Sequence, residues 1–505
     1  MQDLEIELKF GLSAKDAARL PALPPIADAL ESERKLQQTT YFDTPAFDLE
    51  RAGLICRIRR IGDVRVQTIK AETASGIGRH EWERPLAQDS LDLDALPKSR
   101  VVAPLKKAAA ADALAPVFVT EVERRSWIVP QGASLVEVSL DVGHMAAAER
   151  TREICEVELE LKQGRIEDLF TLARQLSGDV ALRLDLNPKS RHGLRLARGE
   201  DAIETDPALP RLRPDMGLAE GFRAICYACL RHFMINEPIL RANADAEALH
   251  QTRTAVRRLR AVLRIFGRHV KDDELGDLRD GFKWLSRVLG VARDLDVMSS
   301  HFASHKKTAH LAGHLADKRE KVYGRVFEAL ESRRYRDLLI DFCAWLEAGP
   351  WTTRKPRKRS RGTFEDVCLL EFSRRDRKLL DDSRDLAHLD PEERHAVRIR
   401  AKSLLYACAL TESLLPRRQR KAQSVYVKAL KRMQSVLGKL NDAHVARENL
   451  RETLGGATRD AASQALDEAA RHAVARHAGK EGRLLEQALK ARETFAAAPR
   501  VWALD

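Results

Sequence analysis

Two textures of apolar and polar positions divide the chain. Up to about residue 195, apolar residues alternate with polar ones in short segments: LEIELKF, CRIRR, VRVQTIK, RHEWER, LVEVSLD and CEVELELK, with Gly or Pro between many of them. A period of two sends successive side chains to opposite faces of a strand, so this stretch predicts an antiparallel sheet with turns. One segment departs from it: Ile166, Leu169, Phe170, Ala173 and Leu176 recur at helical spacing after Gly164 and predict a helix covering an apolar sheet face. Residues 198–216 carry Pro207, Pro210 and Pro214 without periodicity and read as a linker. Beyond them, long Ala/Leu/Arg/Glu-rich segments of helical period predict an all-helical half, interrupted at RKPRKRSRG (354–362) and at Pro416. The expected class is α+β: a sheet domain over 1–197, a linker over 198–216 and a helical domain over 217–505.

The polar face of the strands decides what kind of sheet this is. In the first segment Asp3, Glu5, Glu7 and Lys9 alternate with Leu4, Ile6, Leu8 and Phe10. The same parity joins Glu156, Glu158 and Glu160, Glu137 with Asp141, Arg57 with Arg59, Thr68 with Lys70, and Arg79 with Glu81 and Glu83. One such strand could turn its charges to solvent, but so many would stripe the whole surface, and an apolar core could not absorb them. A closed barrel with a polar lining remains, its Leu/Ile/Val face turned outward under covering helices. For any single residue, an ion pair inside the barrel is the alternative to a ligand contact.

Such a lining needs neutralisation. Carboxylates from facing strands are hard oxygen donors suited to Mg²⁺ or Mn²⁺, and Arg and Lys from neighbouring strands suit phosphate oxygens. Together they make a receptor for a metal–polyphosphate complex. Hydrolysis there requires a water activated by a metal or a carboxylate, because the sequence offers no separate nucleophile.

The chain has 505 residues, 44% hydrophobic and 32% charged, enough for two domains with proper cores. Its longest uncharged run, Ser126 to Val136, is far short of a membrane span, so no membrane insertion and a cytoplasmic location are expected. The seven scattered cysteines fit reduced thiols, and Cys226 with Cys229 fit buried helix positions rather than a metal site. Residues 1–200 carry a net charge of −3 and the remaining 305 a net of +15, so the helical half is expected to seek polyanions.

That half repeats itself. His250-x2-Arg253-x3-Arg257 recurs as His395-x2-Arg398-x3-Lys402, and LGVARDLDV (289–297) recurs as LGKLNDAHV (437–445), indicating a duplicated unit of about four helices. On a helix, His250, Arg253, Arg257, Arg260 and Arg264 fall within a sector of about 80°, opposite Leu259, Leu263 and Phe266. A single basic face of this kind is usually solvated; its repetition suggests a groove for an extended polyanion. Phosphate contacts serve inorganic polyphosphate and nucleic acid alike, but base stacking needs aromatic platforms that the basic helices lack, so nucleic acid is the less favoured partner.

Two family resemblances sharpen these expectations. E-I-E-L-K (Glu5 to Lys9) resembles the ExExK signature of the CYTH superfamily, the triphosphate tunnel metalloenzymes, and the likeness continues through TTYFDTP (39–45), GLICRIR (53–59), QTIK (67–70), RHEWE (79–83), RRSW (124–127), SLDVG (139–143), EVELELK (156–162) and ALRLDLNPKSRHG (181–193). It implies an eight-stranded antiparallel tunnel in which Glu5, Glu7, Lys9, Arg57, Arg59 and Lys70 are the catalytic set. Glu5, Glu7, Glu158 and Glu160 would hold metal, with Glu156, Asp141 and Glu137 close by. Lys9, Arg57, Arg59, Lys70, Arg124, Arg183 and Lys189 would bind triphosphate. The closing motif PKSRHG departs from the family's S-K-x-x-R-G at Pro188 and His192.

The repeated segments of the helical half resemble the CHAD domain, which is often fused behind CYTH and associated with inorganic polyphosphate. The implied contacts are His250, Arg253, Arg257, Arg260, Arg264, His395, Arg398 and Lys402, with the run Arg354–Arg361 as an addition; Asp294 and Asp442 would orient arginines or cap helices. The expected function is metal-dependent hydrolysis of inorganic triphosphate, with polyphosphate held by the helical half, in the cytoplasm or at polyphosphate granules. ATP, thiamine triphosphate or cyclase chemistry, and a non-catalytic polyphosphate-binding protein, are the alternatives. Removal of 217–505 is expected to leave triphosphate turnover largely intact.

Overall fold

The computed structural model describes residues 3–73, 76–93, 103, 105–107, 114–200, 203–205, 207, 209–210, 212–303, 316–353, 362–415, 417–455, 482–500 and 502. The basic run Arg354–Arg361 lies outside the described residues. The chain opens with strand β1 (Asp3–Gly11), short helices α1 (Ala14–Arg19) and α2 (Pro24–Ala27), strand β2 (Glu31–Asp43) and helix α3 (Asp48–Ala52). Strands β3 (Leu54–Ile61), β4 (Val64–Glu72), β5 (Gly78–Leu86), β6 (Ala115–Gln131), β7 (Ser134–Ala147) and β8 (Arg150–Gln163) follow. Their order is β5-β4-β3-β2-β6-β7-β8-β1, and β1 pairs back onto β5, so eight antiparallel strands close into a barrel. Tight hairpins at Gly62 and Gly132, with φ of +57° and +60°, set the register of β3–β4 and β6–β7.

Closure puts the charged parity inside and the apolar parity outside. Leu8, Phe10, Val136, Val138, Val157 and Leu159 are buried on the outer face, under Leu169, Phe170 and Leu176 of helix α4 (Ile166–Asp179). After α4 a two-residue strand, β9 (Arg183–Leu184), pairs with Phe10 and Gly11, and helix α5 (Lys189–Arg198) follows. At one end of the barrel the inward positions turn apolar: Tyr41, Phe118, Val122, Met145 and Ile154 cluster with Leu194 of α5. The charged cavity thus begins where α5 ends its plug.

The rest of the described chain is helical: α6 (Leu218–Asn243), α7 (Ala246–Phe266), α8 (Glu274–Ala303), α9 (Ala316–Glu331), α10 (Arg333–Ala348), α11 (Phe364–Asp382), α12 (Pro391–Leu410), α13 (Arg417–Gly455) and α14 (482–497). The repeated His/Arg motifs start two equivalent helices, both capped by aspartate. Asp245 accepts from the backbone N–H groups of Glu247 and Ala248 at the start of α7, and Asp390 forms a capping box with Glu393, ahead of Pro391, at α12. Helices α7 and α12 pack on each other, α7 also on α8 and α12 on α13. No described helix is long and apolar enough to cross a membrane. Cys226 and Cys229 are buried on α6, where burial pushes both thiols up, as expected of core positions.

The two halves share packing. Helix α4 packs against α10, with Arg174 Nε donating to Asp341 Oδ1 at 2.6 Å, and the core under α4 runs on without a break into Phe222, Leu230 and Phe233 of α6. Removing 217–505 would therefore expose an apolar face of the barrel's covering helix.

Candidate active site

A cavity of about 300 Å³ runs inside the barrel, lined by nine basic and eight acidic side chains. The barrel's register explains their grouping. Glu7 stands opposite Glu160 and Lys9 opposite Glu158 on β1–β8, Lys70 opposite Glu81 on β4–β5, and Arg124 opposite Asp141 on β6–β7. Glu5, Glu7, Lys9, Arg57, Arg59, Lys70, Arg124, Glu158, Glu160 and Lys189 all line the cavity.

The acids of β1 are held by bases from β4 and β5. Lys70 Nζ lies 2.6 Å from both Glu5 carboxylate oxygens and 3.1 Å from Glu81 Oε1, and Arg79 bonds Glu7. Burial, reinforced by Glu7, nevertheless raises the Glu5 carboxyl to about 7, more than Lys70 can offset. Burial also opposes ionisation of Glu7, but Arg79 overcomes it and holds that carboxyl low. On the far side, Arg124 binds Asp141 at 2.6–2.7 Å and Glu158 at 2.5 Å, while Lys189 reaches Asp141, Glu156 and Glu158 at 2.5–2.7 Å. Burial works against charge there too, yet Lys189 and Arg124 keep Glu158 well below the usual carboxylate range.

The wall built by β3 is different. Arg57 reaches a carboxylate only at 3.7 Å, on Glu81, and among the described residues Arg59 has no ion pair or side-chain hydrogen bond, its Nε being buried without a partner. Burial, then the fields of Arg57 and Arg124, push the Arg59 guanidinium down to about 10. Burial works against charge on Arg57 as well, but Tyr41 and Glu81 overcome it and raise that guanidinium; beside it Arg59 carries surplus positive charge, and both face a carboxylate wall across the cavity. That is a cradle for a compact polyanion.

The carboxylates also suit a cation. Asp141, Glu156 and Glu158 offer oxygens within 4.8 Å of one another, and Glu5 and Glu7 crowd each other enough to raise the Glu5 carboxyl. All donors are hard oxygens, the set Mg²⁺ and Mn²⁺ prefer. Asp141 and Glu156 are not among the cavity-lining residues, and Lys189 lies between them, bonded to both.

Arg183 departs from expectation. It is exposed and does not line the cavity. Strand β9 pairs only with Phe10 and Gly11, past Lys9, so its side chains emerge beyond the end of the tunnel. His192 is likewise outside the lining; its Nε2 meets Asp185 at 2.7 Å, and Asp185 in turn takes Lys9 at 3.2 Å. Several lining residues escaped the sequence reading: Glu33, Lys35, Gln37 and Tyr41 on β2, and Lys162, which holds Glu137 at 2.9 Å and Glu160 at 2.8 Å. Their parity was the available signal, since ESERKLQQTTY continues the alternation of β1 and Lys162 that of Glu160.

In the helical half, the motif residues converge where α7 and α12 meet. Arg257 and Lys402 both lie 6.0 Å from the Tyr406 ring, Arg264 donates to Ser403 Oγ at 3.0 Å, and Arg260 to Ser286 Oγ at 2.9 Å. The duplication is visible in geometry: Arg253 runs beside Gly290 and Arg398 beside Gly438, the glycines of the two Leu-Gly motifs. Arg253 meets Asp294 at 3.6 Å, and His395 bonds Asn441. His250 is half-buried, and burial, then Arg293, lower it toward the neutral form.

Residues 3–191 match the CYTH domain and residues 224–451 the CHAD domain. The chain thus carries a CYTH domain followed by a CHAD domain in the same polypeptide. An inorganic triphosphatase from Haemophilus influenzae is 29% identical over 195 residues, 38% of this chain and 54% of that protein, so the match spans about half of that curated relative's length. The crystal structure of the CHAD domain from the plant Ricinus communis is similar at a TM-score of 0.50 and 26% identity, covering 58% of this chain and 99% of that one.

Proposed function

We propose that the tunnel hydrolyses the terminal phosphoanhydride of inorganic triphosphate with Mg²⁺ or Mn²⁺, and that the α7–α12 groove binds inorganic polyphosphate. The observation that carries the first part is Arg59, buried beside Arg57 without an ion pair among the described residues and facing Glu5, Glu7, Glu158 and Glu160 across the cavity. The described lining presents one aromatic side chain, Tyr41, which is buried and stacked on Phe118 at 4.2 Å, so its ring offers little face to a nucleobase. That favours inorganic triphosphate over ATP or a cyclase substrate.

In this reading Arg57, Arg59, Lys70 and Arg124 hold the phosphoryl oxygens and draw off the charge that develops on them. Glu5, Glu7, Glu158 and Glu160 would hold a divalent ion, which would supply Lewis-acid polarisation of the phosphoryl group. Water oxygen attacks the terminal phosphorus, the bridging P–O bond breaks, diphosphate departs, and the water's proton passes to a carboxylate of the acidic wall. The ion pairs Lys70–Glu5 and Arg79–Glu7 must loosen as metal and triphosphate enter, exchanging one set of counter-ions for another.

The test is phosphate release from inorganic triphosphate by the full chain with Mg²⁺ or Mn²⁺, beside Glu5→Gln/Glu7→Gln and an EDTA control. Metal-dependent turnover that falls by about a hundredfold or more in the double variant is the expected result. A wild type that binds triphosphate without releasing phosphate favours a second reading, a non-catalytic polyphosphate-binding protein. The full pairing of Glu5, Glu7 and Glu158 with lysine and arginine is the feature that supports it.

A further inference from the structure

The segment joining the two halves is gripped where it passes α6. Glu204 N–H donates to Asn236 Oδ1 at 2.9 Å, and the Glu204 carbonyl accepts from Asn236 Nδ2 at 3.2 Å and from His232 Nε2 at 3.0 Å. The Asn236 side chain thus pairs with both backbone groups of one residue, as a neighbouring strand would. Asn236 is 0% and His232 1% exposed, positions at which an unmatched amide or imidazole would be costly. Two buried polar side chains on an otherwise apolar helix face are committed to holding this strap.

The strap then holds the tunnel. The Glu204 carboxylate takes Arg191 Nη2 at 2.5 Å, and Arg191 lies in the first turn of α5, two residues beyond Lys189. Lys189 is the side chain whose ammonium lies among Asp141, Glu156 and Glu158. On the other side of the same turn, Leu186 N–H contacts Met234 Sδ of α6 at 3.4 Å. The start of α5 is therefore tied both to the barrel and to α6.

We propose that Asn236 and Glu204 are positioning residues for the tunnel: helix α6 grips the strap, the strap fixes Arg191, and Arg191 orients the turn that projects Lys189 into the carboxylate cluster. The CHAD-matching half is in this view a structural wall of the catalytic tunnel as well as a binding module. The inference rests on the triphosphatase reading above.

The experiment uses the full chain and measures KM and kcat for inorganic triphosphate in Asn236→Ala, Glu204→Gln, Lys189→Ala and the double variants with Lys189→Ala. Glu204→Gln leaves the backbone grip of Asn236 intact and removes only the negative charge that faces Arg191, so it serves if Asn236→Ala does not fold. Each strap variant is expected to raise KM roughly tenfold, the equivalent of one lost ion pair, with a smaller change in kcat. In a Lys189→Ala background the same substitutions are expected to add almost nothing, because their effect runs through that ammonium. Additive losses in the double variants, or folded strap variants with wild-type KM, overturn the inference while leaving the triphosphatase reading in place. A wild type that releases no phosphate overturns both.

Discussion

At the scale of single residues, burial sets most of the chemistry. His232 is pushed from its ordinary 6.5 down to about 4, chiefly by burial, and so is neutral while it donates to Glu204. A base whose folded value is depressed contributes stability above its unfolded value and loses it as pH falls toward the folded one. His232→Gln keeps an N–H donor and removes the titration. The wild type is therefore expected to lose roughly 3 kcal/mol relative to this variant as pH falls from 6.5 to 4, and urea melts across that window would show it. A constant difference between the two proteins at all pH values would mean that His232 does not titrate with folding. Residue parity also marks how far the sequence could be read. Glu5, Glu7, Arg57, Arg59, Lys70 and Glu158 were legible because each stands in a long alternating strand, where one inward residue fixes the rest. Arg183 was not, because parity has no meaning in a strand of two residues, and the Asp185–Lys9 pair joins residues whose loop carries no period.

At the scale of elements, helix α5 shows how tight packing and charge placement are coupled. Gly193 faces the inner end of the barrel, and a Cβ built there would stand 2.2 Å from the Phe118 ring, itself stacked on Tyr41. Gly193→Ala must push α5 off the sheet or displace both rings, and a loss of about 1–3 kcal/mol is expected. Gly324 in α9 meets nothing within 4 Å, so Gly324→Ala should instead gain up to about 1 kcal/mol from helix propensity. Thermal melts of the two variants with opposite signs would separate packing from propensity; equal signs would mean that α5 relaxes freely. The helices themselves could be read from their period and caps, and so could the duplication, since the Leu-Gly motifs recur with their arginines. What the period could not reveal is the partner of each apolar face. The outer face of α4 and one face of α6 each announce burial, but nothing in either pattern says that they share one core, and the strap residues sit in a stretch whose prolines suggest only a linker.

At the scale of the whole molecule, charge is divided unevenly: near balance in the tunnel half and a net of +15 over the last 305 residues. Where α7 and α12 meet, Arg253 pairs with a single carboxylate among the described residues, at 3.6 Å, and the buried Nε atoms of Arg253 and Arg398 have no hydrogen-bond partner among them. Burial, then Tyr406 opposing it and Arg253 and Arg398 reinforcing it, leave the Arg257 guanidinium lowered, the mark of cations crowded together. A flexible polyanion relieves that crowding and releases its own counter-ions on binding, so affinity should fall linearly with the logarithm of salt concentration. Replacing both Arg253 and Arg398 by Ala is expected to weaken binding of inorganic polyphosphate by about tenfold or more and to flatten the salt dependence by about 0.7 per lost cation. Filter binding of labelled polyphosphate at several salt concentrations, with an RNA of matched charge as competitor, measures both quantities. RNA that binds as tightly and is not displaced by polyphosphate would reassign the groove to nucleic acid. An unchanged salt slope in the double variant would move the polyphosphate site away from the α7–α12 seam altogether, because two cations removed from the contact must each take a released counter-ion with them.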